Sequence, residues 1–296
     1  MDLNQSMLQN SQSQIRKKGE SRNEILPQTR QMKMQPLSNE QVQKLSNYDT
    51  LAQADDAQPA IVTSIPEVPI TEARKPWQPE DEDRLPRPGV GRANIAATYD
   101  QPEGTTEGDY AAKHSDQTVL QQHLEFFDRD RDGIIWPRDT FVGFYRLGFG
   151  AVLSFLSIFV IHSNFSYATG DSWIPDPMFR INLPNIHKDK HGSASGAYDA
   201  EGRFVPQRFE DLFAKHAQGR DYMTARDVVN LLKGQRMIAD PVGWFHAFIE
   251  WTATYYMLWP EDGRMKKEDV RGVFDGSIFY TIAARREEKM DEAKRR

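Results

Sequence analysis

Alternating aspartates in the middle of the chain restrict its fold more than any other feature. Residues 128–139 read DRDRDGIIWPRD, with Gly133 and Ile135 at the sixth and eighth positions. An EF-hand loop needs oxygen ligands at positions 1, 3, 5, 7 and 12 and a glycine at position 6. The predicted calcium ligands are Asp128, Asp130, Asp132, the carbonyl of Ile134, and Asp139. We therefore predict an EF-hand over 116–145, with a helix on each side of the loop.

The residue at position 12 departs from the usual EF-hand pattern. Most loops place a glutamate there, which binds calcium through both carboxylate oxygens. Asp139 is one methylene shorter, and a shorter side chain favours a smaller, six-coordinate ion. The sequence thus predicts a divalent-metal site and leaves the choice between Ca²⁺ and Mg²⁺ open.

The segment before the loop has the pattern of an amphipathic helix. Its apolar side chains recur at helical spacing, and a histidine falls among them. The residues that share this face are Val119, Leu120, His123, Leu124 and Phe127. On the residues alone, we interpret His123 as a structural histidine of the core.

Three later stretches repeat the second half of an EF-hand. They read EGRFVPQRFEDLF, RDYMTARDVVNLL and EDGRMKKEDVRGVF, with Phe204, Met223 and Met265 at loop position 8. Each then has apolar residues at helical spacing, as a short strand followed by a helix requires. Because the early ligand positions are poor, we interpret 197–280 as degenerate EF-hand-like units without metal. Chance similarity among amphipathic helices is the alternative.

An apolar stretch directly follows the calcium loop. Residues 147–161 carry no charge, but the run is shorter than the about 20 residues that span a bilayer. The proline-rich turn 173–184 then forces the chain to turn or extend at Pro175 and Pro177. We predict that 141–167 and this turn contact a membrane as an interfacial helix or hairpin. A buried core helix is the alternative.

Composition divides the chain unevenly. Residues 1–112 are rich in Gln, Ser, Asn and Pro. We predict a long disordered arm there, because such a segment buries too little apolar surface to offset the entropy of ordering. A folded domain is predicted over 113–283 and a charged tail over 284–296. The predicted fold class is mainly α, with EF-hand-like helix-loop-helix units and an apolar helical or hairpin segment.

Charge and cysteine content exclude several functions. The chain has 37 Lys+Arg and 43 Asp+Glu, so its net charge of -6 gives no general attraction to nucleic acid. It has no cysteine, which excludes disulfides, thiol catalysis, iron–sulfur clusters and a thiolate-ligated haem. The N-terminal residues lack the apolar core of a secretory signal peptide.

Taken in order, these stretches resemble the caleosin family. The similarity is carried by QQHLEFFDRDRDGIIWPRDTF, WIPDPMF, NIHKDKHGSASGAYDAEGRFVP and FDGSIF, within residues 118–280. The resemblance implies a calcium-binding protein of lipid droplets and the endoplasmic reticulum that acts as a haem peroxygenase. Such an enzyme transfers oxygen from a fatty-acid hydroperoxide to an unsaturated lipid or similar acceptor, with haem b and Ca²⁺ as cofactors.

The resemblance also assigns two candidate haem ligands. The family's proposed ligand histidines match His123 and His191, and His187 is the alternative to the second. If both histidines bound iron, no coordination position would remain for the hydroperoxide, so one of them would instead serve as an acid–base group. The alternative function is a calcium-dependent structural or tethering protein of lipid droplets without enzymatic activity.

One position in the proline-rich turn differs from the family pattern. Arg180 stands where a third proline is usual. A charge at this point favours an interfacial position over deep insertion. We expect Arg180, Lys188 and Lys190 to lie near lipid headgroups.

Overall fold

The protein is mainly helical, and short two-residue strands lie between the helices. The structure is a computed structural model that describes residues 76–81 and 83–295. The helices in chain order are α1 (Tyr110–Lys113), α2 (Val119–Glu125), α3 (Pro137–Leu147), α4 (Gly150–Thr169), α5 (Pro206–His216), α6 (Ala225–Gln235), α7 (Pro241–Leu258), α8 (Lys267–Phe274) and α9 (Ser277–Arg295). The strands are β1 (Ile134–Ile135), β2 (Ile181–Asn182), β3 (Tyr222–Met223) and β4 (Met265–Lys266), and 3₁₀ helices lie at Glu107–Asp109 and Leu183–Lys188. The predicted, mainly helical fold class is confirmed.

Several helices begin where the sequence supplies a cap. The Thr118 hydroxyl accepts the backbone N–H of Gln121, and the Gln121 side chain accepts the backbone N–H of Thr118, which forms a capping box at the start of α2. Thr224 and Asp227 form the same box at the start of α6. Helix α7 begins with Pro241, whose missing N–H is harmless at the first helical position.

Short antiparallel strands link the degenerate units. Strand β3 pairs with β4, and Met223 lies opposite Met265, so the second and third repeats meet at their loop position 8. The first repeat forms isolated bridges from Phe204 to Tyr198 and Arg92. The positions picked out by the repeat pattern are therefore the positions at which the loops pair.

The apolar side chains of the repeats fill one common core. These residues come from all three units, and each is less than a tenth exposed. They are Phe204, Phe209, Leu212, Phe213, Met223, Val228, Leu231, Met265 and Val270. Burying such side chains supplies the main driving force for folding.

A second core joins the calcium loop to the C-terminal helix α9. Its buried members include Phe126, Phe127, Ile135, Leu147, Ile181 and Phe279. Strands β1 and β2 pair within it, with Ile135 opposite Ile181. Gly143 on α3 lies so close to Phe127 that an added Cβ would be 2.3 Å from the ring. This glycine lets the helix after the loop pack directly on the helix before it.

The folded part of the chain begins earlier than the predicted boundary at residue 113. Leu85 is 1% exposed, and the Gln122 side chain donates to the backbone carbonyl of Asn94 at 2.7 Å. These contacts join residues far apart in sequence, so local composition gives no sign of them. The described residues within 76–112 therefore pack on the domain, whereas the prediction of disorder for 1–75 lies outside the described residues.

The charged tail is not a separate segment. Residues 284–295 continue α9, which begins at Ser277 and buries Phe279 and Ala283. Glu287 on this helix accepts a hydrogen bond from the Arg146 guanidinium at 3.0 Å. The buried first turns thus hold the start of α9 in place, and the charged remainder extends from it.

An ion pair in the core ties the N-terminal segment to α8. The Arg271 guanidinium is 3% exposed and donates to Asp275 at 2.8 Å and to the Thr105 hydroxyl at 2.8 Å. Asp275, 1% exposed, also accepts from the hydroxyls of Thr105 and Ser277. Every charge in this cluster therefore has a partner, as burial requires.

Replacing Arg271 with methionine should strongly destabilise the protein. The change leaves Asp275 buried without its cation, and such losses cost about 3–5 kcal/mol. Urea unfolding of the full chain should show this loss. Arg208→Met is the matched control, because Arg208 is exposed and should change stability by about 0.5 kcal/mol or less. Equal effects of the two substitutions would show that the ion pair does not secure the N-terminal segment.

The apolar segment predicted over 141–167 is divided between two helices. Helix α3 ends at Leu147, and Gly148 and Gly150 take positive φ values of 105° and 70°, which glycine adopts without steric cost. Helix α4 then runs for 20 residues, so its length and composition would allow it to cross a membrane. It is longer than the charge-free run because uncharged polar residues extend it to Thr169.

Helix α4 buries four polar side chains and exposes most of the apolar side chains in its first half. The buried polar residues are Ser154, His162, Ser166 and Thr169. The outward residues are 46–73% exposed and are Val152, Leu153, Phe155, Leu156 and Phe159. A surface helix in water has the opposite arrangement. The outward side of α4 therefore suits an apolar environment.

Candidate functional site

Three aspartates of the calcium loop converge on one point. Carboxylate oxygens of Asp128, Asp130 and Asp132 lie within 4.8 Å of one another. Gly133 takes a φ of 80° at the sharp turn and donates its N–H to Asp128 Oδ2 at 2.9 Å. The backbone N–H of Ile134 donates to Asp132 Oδ1 at 2.8 Å. The loop backbone thus holds the carboxylates together in spite of their mutual repulsion.

One oxygen of Asp128 is buried without a partner. The residue is 3% exposed, and its Oδ1 atom has no hydrogen bond. Burial raises the pKa of Asp128, and the neighbouring Asp132 and Asp130 raise it further. A divalent cation would coordinate this oxygen and offset the repulsion. The residues present therefore fit a bound calcium ion.

Asp139 lies outside this convergent group. Its Oδ2 atom accepts the backbone N–H of Trp136 at 3.1 Å, and its Oδ1 atom is 3.4 Å from Arg129. Asp139 thus sits in the first turn of α3, where a carboxylate interacts favourably with the helix dipole. The structure brings together three of the predicted ligand side chains, and Asp139 and the carbonyl of Ile134 stay predictions.

Neutralising Asp128 should remove calcium binding without destabilising the metal-free protein. Since its folded pKa is raised, the ionised carboxylate costs folding free energy at neutral pH, and Asp128→Asn relieves that cost. The metal-free variant should melt at or above the wild-type temperature. Calcium at 100 times its Kd should stabilise only the wild type, by about 2.7 kcal/mol.

Asp262→Asn is the control for this experiment, because Asp262 is an exposed acidic residue of the third degenerate unit. It should keep the calcium effect in full, and calorimetry on the wild type should detect one strong site. Loss of binding in the Asp262 variant, or a second strong site, would show that the degenerate units bind metal.

His123 directs one ring nitrogen at the end of α8. Its Nδ1 atom lies 2.6 Å from the carbonyl oxygen of Val273. A carbonyl only accepts hydrogen bonds, so Nδ1 carries the proton and Nε2 keeps its lone pair. Burial lowers the pKa of His123, and its ring packs edge-on against Phe279. A neutral histidine held by a backbone carbonyl through its other nitrogen is the usual arrangement of a metal ligand.

His191 lies between two carboxylates. Its Nδ1 atom is 3.8 Å from Asp240 and its Nε2 atom is 3.8 Å from Glu250. Glu250 raises the pKa of His191, with a further contribution from Asp240 that acts against the effect of burial. The loop is held in place because Asp240, the N-cap of α7, accepts the backbone N–H of Ser193 at 2.7 Å. These surroundings favour a protonated ring.

Glu250 is a site residue that the sequence did not reveal. It lies 3.8 Å from the Nε2 atom of His191, and its negative charge raises the pKa of both His191 and His123. It is the only Asp, Glu, Lys or Arg in α7. A lone charge in an otherwise uncharged helix was the available signal. His187 lies apart from this group in the 3₁₀ helix Leu183–Lys188.

The fold and the site define a class of protein. It has an EF-hand calcium loop, a histidine with an uncommitted nitrogen on the helix before that loop, and an outward-facing apolar helix behind it. The family model described as Caleosin related protein matches residues 115–283. The chain belongs to the caleosin family.

Curated relatives agree with this assignment. "Peroxygenase" of Lilium longiflorum is 39% identical over 233 residues, which cover 78% of this chain and 95% of the relative. "Probable peroxygenase 4" of Arabidopsis thaliana is 38% identical over 175 residues, 59% of this chain and 90% of the relative. A third, "Probable inactive peroxygenase-like protein" of Arabidopsis thaliana, is 32% identical over 157 residues, 52% of this chain and 74% of the relative. No solved structure matches the chain significantly.

Proposed function

We propose that the chain is a calcium-binding haem peroxygenase that acts on fatty-acid hydroperoxides at the surface of lipid droplets or the endoplasmic reticulum. Family membership and the names of two relatives support this activity. The single observation that carries it is the uncommitted Nε2 atom of His123, whose other ring nitrogen is held by the carbonyl of Val273.

His123 is the proposed haem ligand. A haem bound through its Nε2 atom would supply the redox chemistry that cleaves the O–O bond of the hydroperoxide. The Val273 carbonyl fixes the orientation of the ring and makes the ligand nitrogen more basic. The absence of cysteine means that no thiolate assists the cleavage, so the protein has to supply proton transfer from nearby groups.

His191 and Glu250 are the proposed proton-transfer pair. Carboxylates lie 3.8 Å from each nitrogen of the His191 ring and favour its protonated form, which can donate a proton. Opposite shifts of the two histidine pKa values separate their roles, because the group with the lowered pKa can bind metal and the group with the raised pKa can deliver a proton. In this assignment His123 would hold the haem and His191 would be free to transfer a proton to the hydroperoxide.

Calcium has a structural role in this proposal. The loop begins at Asp128, five residues after His123, and α2 connects the two. A bound ion would fix the end of the helix that carries the haem ligand. Its removal should therefore weaken haem retention, although no calcium ligand touches the reacting atoms.

The outward side of α4 and the proline-rich turn are the proposed attachment to lipid. Beyond the helix, Trp173 and Ile174 are 94% and 78% exposed. Arg180 pairs with Asp176 at 2.8 Å and holds the pKa of that carboxyl at about 2. Because this pair is neutral overall, Arg180 reduces the penalty of bringing the turn to a lipid surface.

A non-enzymatic protein of lipid droplets is the second candidate function. The relative named "Probable inactive peroxygenase-like protein" supports this candidate. Both candidates need the calcium loop and α4. They differ in whether His123 binds haem.

Replacing His123 with valine should abolish haem binding. The Soret band of the purified protein should disappear, and transfer of labelled oxygen from a fatty-acid hydroperoxide to oleate should fall by at least about 100-fold. Calcium binding should persist. His187→Val is the control and should retain haem and activity. If the haem-loaded wild type transfers no label, the chain is instead a non-enzymatic protein of lipid droplets.

His191→Val and Glu250→Gln should retain haem but transfer oxygen more slowly. In Glu250→Gln, His191 loses the main cause of its raised pKa, so the alkaline limb of the pH–activity profile should move to lower pH. The fall should appear in kcat rather than in KM, because substrate binding is not affected. Loss of the Soret band in His191→Val would instead make His191 a second ligand. An unchanged pH profile in Glu250→Gln would exclude Glu250 from the proton path.

A further inference from the structure

Helix α7 exposes an apolar face that the proposed function does not use. We define the α7 face by its outward residues, which are 42–68% exposed: Val242, Phe245, Phe248, Tyr256 and Trp259. On the opposite side the helix buries Gly243, Ala247 and Trp251. A helix that is apolar on both sides is stable only when both are covered or when one faces lipid. The described residues leave this face exposed, so something outside them has to cover it.

The loop before α7 enlarges the α7 face. Ile238 and Met237 are 91% and 53% exposed and directly precede the helix. Next to them, the Arg236 guanidinium lies 4.9 Å from the centre of the Trp244 ring. A cation beside exposed apolar and indole side chains is the arrangement found at the headgroup level of a membrane.

The α7 face adjoins the start of α4. The ring of Phe149, which immediately precedes α4, lies 5.2 Å from the ring of Tyr256. Tyr256 in turn lies 5.9 Å from Trp259. The α7 face thus reaches the half-buried Phe149, from which α4 begins. An occupant that covers the α7 face lies beside the start of α4.

We propose that α7 is a second lipid-contacting helix and that a lipid surface covers its outward face together with that of α4. The inference depends on the proposed attachment through α4 and extends it to a second element. A lipid surface fits better than a protein partner, because α4 exposes apolar side chains while it buries four polar ones. The exposed aromatic rings of α7 also suit the boundary between acyl chains and headgroups.

This placement would bring lipid directly to the proposed reaction site. Glu250 is only two residues from Phe248, so one helix carries both the lipid-contacting face and the carboxylate beside His191. A fatty-acid hydroperoxide could then pass from the lipid surface to the site along α7 without crossing water. The hydroxy product would return by the same route.

Binding to phosphatidylcholine-coated triacylglycerol droplets tests the proposal with the full chain. The variant Phe245→Ser/Phe248→Ser should bind roughly tenfold more weakly, since two aromatic side chains lose their burial in lipid. Val90→Ser/Val229→Ser is the matched control, because these exposed apolar residues lie outside both faces. It should bind as the wild type does, and both variants should keep the wild-type melting temperature.

The absence of cysteine allows a direct second measurement. An environment-sensitive fluorophore attached to the Phe248→Cys variant should shift to the blue when droplets are added, whereas the same label on Val90→Cys should not. We call Phe245→Ser/Phe248→Ser the α7 variant and Leu153→Ser/Phe159→Ser the α4 variant. The proposal would be overturned if the label at position 248 does not shift, the α7 variant binds droplets normally and the α4 variant detaches. That result would leave the attachment through α4 intact.

Two other results would also overturn the proposal. If neither the α7 variant nor the α4 variant binds less, both faces are excluded as attachment sites, and the lipid part of the proposed function fails as well. If the label at position 248 is already blue-shifted without droplets and light scattering shows a dimer that the α7 variant abolishes, a second copy of the chain covers the face.

Discussion

The turn that ends α8 positions the rest of the site. A helix leaves its last carbonyls without intrahelical partners. Here the His123 ring donates to the carbonyl of Val273, and the Tyr198 hydroxyl donates to the carbonyl of Phe274 at 2.6 Å. Gly276 follows with a φ of 77°, and an added Cβ would lie 2.7 Å from the backbone of α2. The helix that carries the calcium loop therefore rests directly on the C-terminal unit.

The calcium loop is also connected to the proposed lipid attachment. The hydroxyl of Thr140, the residue after Asp139, lies 2.8 Å from the Nε2 atom of His162, a buried residue of α4. The Nδ1 atom of His162 in turn donates to the carbonyl of Phe179 at 2.6 Å. Strands β1 and β2 form a second link between the loop and the chain beyond the turn. An ion bound in the loop would thus stabilise both the helix before it and the base of the proline-rich turn, so calcium and lipid binding are expected to favour each other.

The parts of the structure that local patterns determine could be predicted, and the parts made by long-range contacts could not. The loop glycine and the position-8 residues are local signals, so the converging aspartates and the short strand at position 8 of the repeats follow from the sequence. Which repeats pair, as Met223 does with Met265, is decided by the fold. The contact of Gln122 with Asn94 and the approach of Glu250 to His191 join distant segments, and no local period records them. The apolar segment 141–167 is predicted as one element, although Gly148 and Gly150 divide it between α3 and α4 and the second helix continues to Thr169.

The haem peroxygenase and the non-enzymatic protein of lipid droplets make different demands on His123. In the second, His123 would be a purely structural residue. Satisfying the carbonyl of Val273 takes a single N–H donor, which Nδ1 supplies. Among the described residues Nε2 has no hydrogen-bond partner, and burial favours the neutral ring by lowering its pKa. A purely structural His123 therefore has no need of the lone pair on Nε2. A metal ligand needs such a lone pair on a neutral ring that is oriented through its other nitrogen, so the geometry favours the enzyme over the non-enzymatic protein of lipid droplets.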